Sequence, residues 1–465
     1  MYIISMIEYY WSTSQLTATM RNPPERYLQT LREHFAQAPH WFNSGSGTPE
    51  VPMKPTSGAA LTTYQDGKGT AFQRWFHFKE AFSPEFVTAA IASLGYRPTH
   101  VVDPFGGSGT SAITSQLLSI NATTIEVNPF LADVIKAKVS PLTAEKLLSA
   151  AADFQASLHD TPADLSRLAH LPATFIEGKY KDRWIFPSAV ARRLAQYLTC
   201  IDAIKDCDVQ RFFRVVLGAV IVDCSNVYVN GKGRRYRGAW RLNQPTPEKL
   251  DLQFGQQFNT SFEDVLRFEN RPRSRVTVIN GDSRTALQKV QEPADLVVFS
   301  PPYPNSFDYT DIYNVELWVL GYIGSAVDNT TLRNQTLRSH VQIRRAYEGP
   351  KGKSKSLAAV LDALGSRRAA LWDPTIPDMV GAYFRDLEMV LEQTQRLLAP
   401  TGRAMMVVGD SRYADVRIEV ATILAELAKS MGFGRVTTRE VRQMRASAQQ
   451  GGSFQLAESI VEMAI

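Results

Sequence analysis

THVVDPFGGSGTSAITSQLLSINATTIEVNPFLADVIKAKV, residues 99–139, is the stretch whose reading decides the fold. Its first apolar run stops at Asp103 and enters a turn carrying Gly106, Gly107 and Gly109, after which SAITSQLLS has helical character. ATTIEV then reads as a second strand and NPFLADVIKAKV as a second helix, so the stretch is a strand-helix-strand unit of a parallel α/β sheet.

Outward from this unit, Ser83 to Leu94 opens with Ser-Pro and spaces Phe86, Val87, Ala90, Ile91 and Leu94 as an amphipathic helix would. Residues 1–70 read as an N-terminal arm, ending in a Gly/Ser/Pro-rich loop. Residues 143–270 read as a mainly helical insertion. Apolar strands return in RVTVINGD and ADLVVFSPPY, and a helix is expected over 313–322. A basic insert over 323–378 precedes a long amphipathic helix from Met379 to Leu398. The strand GRAMMVVGD, a helix from Val416 to Gly432 and two final strands close the chain. The α/β portion is therefore expected to be assembled from 71–142, 271–322 and 379–465.

The chain has 465 residues, 44% hydrophobic and 21% charged, with a mean hydropathy of −0.19, which is ordinary globular composition. No apolar run is long enough to cross a membrane, and the N-terminus has no basic leader, so a soluble protein without membrane partners is expected. Three cysteines, none in a C-x-x-C pair, offer neither a disulfide framework nor a cysteine-rich metal site, which favours a reducing, cytoplasmic setting. The net charge of +5 is segregated. Nine basic residues against two acidic ones lie between Thr331 and Leu371, and GKGRRYRGAWR (231–241) adds five with no acid. Such runs suit a polyanion, with solvated loops as the plainer alternative.

Two motifs carry chemistry. In DPFGGSGT (103–110) the glycines permit positive φ and close backbone approach, while the next helix offers free N–H groups, an arrangement suited to a nucleotide-like cofactor. Glu126 follows Gly106 by twenty residues at the end of the second strand, where such folds place a carboxylate on ribose hydroxyls. In SPPY (300–303) two prolines remove N–H donors and leave fixed carbonyl acceptors for an amino group. Ser300 adds a hydroxyl and Tyr303 an aromatic face for a planar base. Alone, each motif could be a structural turn.

Together, DPFGGSGT, EVNP and SPPY resemble motifs of the S-adenosylmethionine-dependent DNA methyltransferases that modify exocyclic amino groups, the cytosine-N4 and adenine-N6 enzymes. The resemblance covers most of 72–140 and 275–465. It implies a Rossmann-like methyltransferase sheet, mostly parallel with a closing antiparallel hairpin that includes Glu458, and S-adenosylmethionine as cofactor. Its cofactor residues would be Phe82, Ser83, Asp103, Phe105, Gly106, Gly107, Gly109, Thr110, Glu126 and Asp282. Ser300, Pro301, Pro302 and Tyr303 would be catalytic, with no metal, transferring the methyl directly to a flipped-out base in double-stranded DNA. The serine opening SPPY favours cytosine N4 over adenine N6. No cysteine follows a proline, which removes the nucleophile that carbon-5 methylation needs.

Here the cofactor motif precedes SPPY, the reverse of many such enzymes. With no segment beyond the final strand, target recognition is expected in the two inserts. Lys232, Arg234, Arg235, Arg237, Arg241, Arg344 and Arg345 are the candidate DNA contacts, and a restriction endonuclease is a candidate companion. An RNA base methyltransferase and a silent DNA-binding subunit are the competing readings; no RNA-binding module stands at the N-terminus for the first, and the intact motifs oppose the second.

Overall fold

The computed structural model describes residues 70–178, 182–230, 233–445 and 455–465. The expected arm, apart from its last residue, and Lys232 lie outside them. The chain runs through β1 (His100–Asp103), β2 (Asn121–Glu126), β3 (Val227–Asn230), β4 (Gly233–Tyr236), β5 (Val276–Asn280) and β6 (Ala294–Phe299). It continues through β7 (Leu398–Gly409), β8 (Ser411–Tyr413), β9 (Val416–Ile418), β10 (Arg435–Arg445) and β11 (Gln455–Ala464).

Seven of these form one sheet in the order β10-β11-β7-β6-β1-β2-β5. Strands β5, β2, β1, β6 and β7 are parallel, β11 adds antiparallel to β7, and β10 adds antiparallel to β11. This is the Rossmann-like methyltransferase sheet with a closing hairpin that the motifs implied.

The central strands are covered on both faces, and the two-residue alternation of side chains divides them. Val101, Leu296, Val298, Met405 and Val407 pack with the helix Pro84–Ser93. Val102, Val297, Phe299, Ala404 and Met406 face the helices Ile376–Leu397 and Val420–Ser430. The helix Pro84–Ser93 starts where expected, because Ser83 Oγ accepts from Phe86 N and Pro84 occupies the first position.

The helical insertion is Ala144–Asp160, Ser188–Asp202, Cys207–Ile221 and Pro247–Arg267, and it shares one continuous apolar core with the helix Pro129–Val139. The last of these helices was not singled out in the sequence. The expected helix over 313–322 is two short ones, Tyr309–Ile312 and Asn314–Val319. The basic insert contains the helices Ala326–Gln335 and Lys355–Ser366.

One expected helix start is too early. Residues Val416–Ile418 form β9, paired antiparallel with β8, and the helix begins only at Val420. Ala414 and Asp415 both have positive φ, the requirement of a primed hairpin turn, here met without glycine. Asp410 then accepts from Val420 N at 3.1 Å.

Asp264, fully buried, ties the insertion to the chain entering the sheet. It accepts from Phe72 N at 2.8 Å, Trp75 Nε1 at 3.0 Å and Arg74 at 2.7 Å. Replacing Asp264 by Ala leaves Phe72 N and Trp75 Nε1 without an acceptor in the core and removes the buried partner of Arg74, and is expected to cost about 3–5 kcal/mol of stability, read from the urea unfolding midpoint. A loss below about 1 kcal/mol would mean that the contact contributes no more than an ordinary hydrogen bond.

Candidate active site

Strands β1 and β6 are parallel neighbours, with Val101 opposite Leu296, yet the chain leaves them in opposite directions across the sheet. A crevice therefore opens beyond their carboxyl ends, the position where open α/β sheets bind ligands. DPFGGSGT leaves β1 there and SPPY leaves β6 there. A cavity of about 260 Å³ occupies the crevice. Phe82, Asp103, Phe105, Gly106, Gly107, Thr110, Glu126, Asp282, Ser300, Pro301, Pro302 and Tyr303 all line it. Ser83 and Gly109 do not, the first serving as a helix cap and the second packing on Ile135.

The glycine turn is held from both sides. A β-carbon at Gly106 would collide with Thr124 Oγ1, and Gly107, at φ +52°, faces Phe78. Asp103 accepts from Phe105 N at 2.9 Å and from Ser111 Oγ at 2.6 Å, so it braces the turn as well as lining the cavity. Glu126 accepts from Gly107 N at 2.7 Å and from Asn128 N at 2.8 Å, clamping the first turn to the second. Burial pushes both carboxyls up to about 7, against the pull of these hydrogen bonds. Beneath the turn, Lys138 is buried and donates to Ser108 O at 2.6 Å, and burial lowers its ammonium to about 7. Asp282 reaches the cavity while paired with Arg284, whose other side meets Asp386 at 3.0 Å.

On the SPPY side, Ser300 Oγ lies 3.1 Å from Val407 O and 3.5 Å from the Tyr303 hydroxyl. Tyr303 donates to Glu458 Oε1 at 3.0 Å, and Glu458 is paired with Arg442 at 2.5 Å. Burial, then the Glu458 charge, holds the Tyr303 phenol well above its ordinary value. The ring packs close over Gly409, where a β-carbon would fall 2.5 Å from it. The closing hairpin thus supplies Arg442, Met444 and Glu458 to the cavity wall.

Several lining residues were not nominated from the sequence. Phe78 stacks on Tyr313 with ring centroids 5.7 Å apart, and Tyr313 donates to Glu80 at 2.9 Å. Burial raises the Glu80 carboxyl. An acid inside the aromatic stretch WFHFKEAF was the available signal. Nothing local marks Tyr309, Tyr313 or His340. His340 accepts at Nε2 from Arg345, and burial lowers its imidazole to about 4.

The basic candidates separate into two groups. Arg235, Arg241 and Arg344 are exposed. Arg241 also lies over Trp240 at 4.7 Å and donates to Asp182 O. The others look inward. Arg237 donates to Val222 O and Ser225 O and pairs with Asp223, Arg345 donates to Thr336 O and Leu337 O, and Arg234 sits half-buried over Phe175. A run of arginines looks the same in sequence whether its members face solvent or carbonyls. The hairpin of β3 and β4 packs on the helix Tyr309–Ile312, whose Tyr309 and Thr310 line the cavity.

No family model matches the chain. It is 25% identical over 447 residues to the Type II methyltransferase M.BsoBI of Geobacillus stearothermophilus, covering 85% of each protein. It is 25% identical over 406 residues to Type II methyltransferase M.AvaI of Anabaena variabilis, covering 80% of this chain and 81% of that one. With Type II methyltransferase M.MvaI of Kocuria varians it shares 24% identity over 363 residues, 70% of this chain and 73% of that protein. These matches bear out the resemblance carried by DPFGGSGT, EVNP and SPPY: the chain is a homologue of Type II methyltransferases, with both of its chemical motifs gathered at the switch point of a methyltransferase sheet.

Proposed function

We propose that this protein is a site-specific DNA methyltransferase that transfers a methyl group from S-adenosylmethionine to an exocyclic amino group, cytosine N4 in preference to adenine N6, on a base flipped out of the duplex. The observation that carries this reading is the convergence of DPFGGSGT and SPPY on one cavity. The relatives' Type II designation agrees with a modification enzyme that has a companion endonuclease.

The residues fit the cofactor. Gly106 and Gly107 line the cavity with bare backbone, Phe105 and Phe82 offer apolar contact, and Glu126 and Asp282 put carboxylates at the mouths of β2 and β5. S-adenosylmethionine, when bound, supplies an electrophilic methyl group. Ser300 and the Pro301 carbonyl accept the protons of the target amino group, which frees its lone pair from the ring. Tyr303 supplies the face on which the base rests. Holding nitrogen and methyl donor together is worth on the order of 7–11 kcal/mol of barrier. No cysteine lines the cavity, so direct transfer is the chemistry available. Arg235 and Arg344, exposed, are the groups best placed to meet phosphates, with Arg241 also exposed but held by Asp182 O and Trp240.

Mass spectrometry of nucleosides from DNA of cells expressing the protein tests the function, with N4-methylcytosine expected. N6-methyladenine would overturn the base assignment alone; label found only in RNA would overturn the substrate.

Replacing Glu126 by Gln is expected to weaken S-adenosylmethionine binding by about 1.5–3 kcal/mol, since a charge-assisted acceptor is lost. Calorimetric titration gives the value, and unchanged affinity would confine Glu126 to bracing the turn. Replacing Arg235 by Ala should flatten the slope of log DNA affinity against log salt by up to about 0.9, while Arg237→Ala should leave it unaltered. Equal slopes for wild type and Arg235→Ala would return the exposed side of β4 to a solvated surface.

A further inference from the structure

Resting on the methyltransferase reading, we propose that Glu458 is the terminal acceptor of the proton that the target amino group must shed, reached through Ser300 and Tyr303. The hydrogen bonds give the path one polarity. Arg442 has only donors, so Glu458 accepts from it at 2.5 Å and 3.1 Å. Tyr303 donates to Glu458 Oε1 at 3.0 Å, which leaves the lone pairs of its hydroxyl turned to Ser300 Oγ, 3.5 Å away. The Ser300 hydroxyl has two acceptors within reach, Val407 O and Tyr303, and its own lone pairs remain for an incoming N–H.

As the new nitrogen–carbon bond forms, the bond to sulfur breaks with its electron pair leaving on sulfur, and the amino nitrogen acquires the positive charge. An N–H bond then breaks. Its proton passes to Ser300 Oγ, the Ser300 hydroxyl proton to the Tyr303 oxygen, and the Tyr303 phenol proton to the Glu458 carboxylate. Charge and atoms balance, and no further co-reactant enters. Glu458 is 2% exposed, and both of its oxygens are engaged by Tyr303 and Arg442. The Tyr303 phenol, held high by burial, stays protonated and passes its proton on only as it receives one. Met444 and Gly409 beside it offer no competing acceptor side chain.

The test uses the full chain and compares single-turnover DNA methylation and calorimetric S-adenosylmethionine affinity for wild type, Tyr303→Phe, Glu458→Gln and the double variant. Tyr303→Phe keeps the ring and removes only the relay atom. Each single variant is expected to slow transfer by about 10²-fold, the scale of lost proton transfer, with cofactor affinity unchanged and the double variant no slower than the worse single. Full-rate transfer by Tyr303→Phe, or losses that multiply in the double variant, would overturn the relay and leave Glu458 as a brace of the hairpin. Should Glu458→Gln not fold, the Tyr303→Phe rate decides alone. A wild type that methylates no DNA overturns the methyltransferase reading and this proposal together, which separates the two failures.

Discussion

The parallel pairing of β1 with β6 is the constraint on which the rest depends. Because the chain departs from β1 toward β2 and from β6 toward β7, no crossover covers the crevice between their ends. Asp103 and Phe299 end neighbouring strands there, so a turn of glycines and a turn of prolines come to face one cavity although 190 or so residues separate them. Everything inserted between the two strands must leave this mouth open. The helical insertion does so by packing on the helix Pro129–Val139, in a core of its own that reaches the sheet through that helix.

What was legible in the sequence was whatever the backbone chemistry of a few consecutive residues determines. Glycines that need close approach and positive φ, prolines that cannot donate, and a carboxylate at the end of a strand are local requirements, and all of them reached the cavity except Gly109, whose space is taken by Ile135. What was hidden is carried by pairs distant in the chain. Tyr303 and Glu458 are 155 residues apart, and Tyr313 and Glu80 are 233 apart. Neither pair has a spacing that sequence could show. The same applies to the arginines: Arg237 and Arg235 are two residues apart, but the first meets backbone carbonyls and the second water. The hairpin of β8 and β9 escaped notice for a different reason, since Ala414 and Asp415 adopt a turn for which glycine or asparagine is the usual sign.

The buried charges around the cavity show why so many polar groups are tolerated there. Glu126 and Asp103 are raised by burial but each accepts two hydrogen bonds, which keeps their desolvation from going uncompensated. Lys138 is buried under the turn on a single carbonyl, with Asp264 the nearby charge that favours its ammonium. Asp264 in turn holds the segment Phe72–Trp75 that leads to the cavity wall at Phe78. The glycine turn is therefore braced from below by the Lys138 ammonium, while Asp264 of the helical insertion fixes the segment that leads to the cavity wall.

The closing hairpin completes the opposite wall in a comparable way. Glu458 lies opposite Gly409 on β7, and the absence of a side chain at Gly409 admits the Tyr303 ring, which could not otherwise reach across to the β11 carboxylate. Arg442, one strand further out, faces the same carboxylate because the register of β10 shifts between Glu440 and Arg442. Without that irregularity the two-residue alternation would have placed residue 441 there and turned the guanidinium to the other face. A single bulge thus sets which side chain neutralises Glu458, and through Glu458 it sets the direction of the Tyr303 hydroxyl beside Ser300.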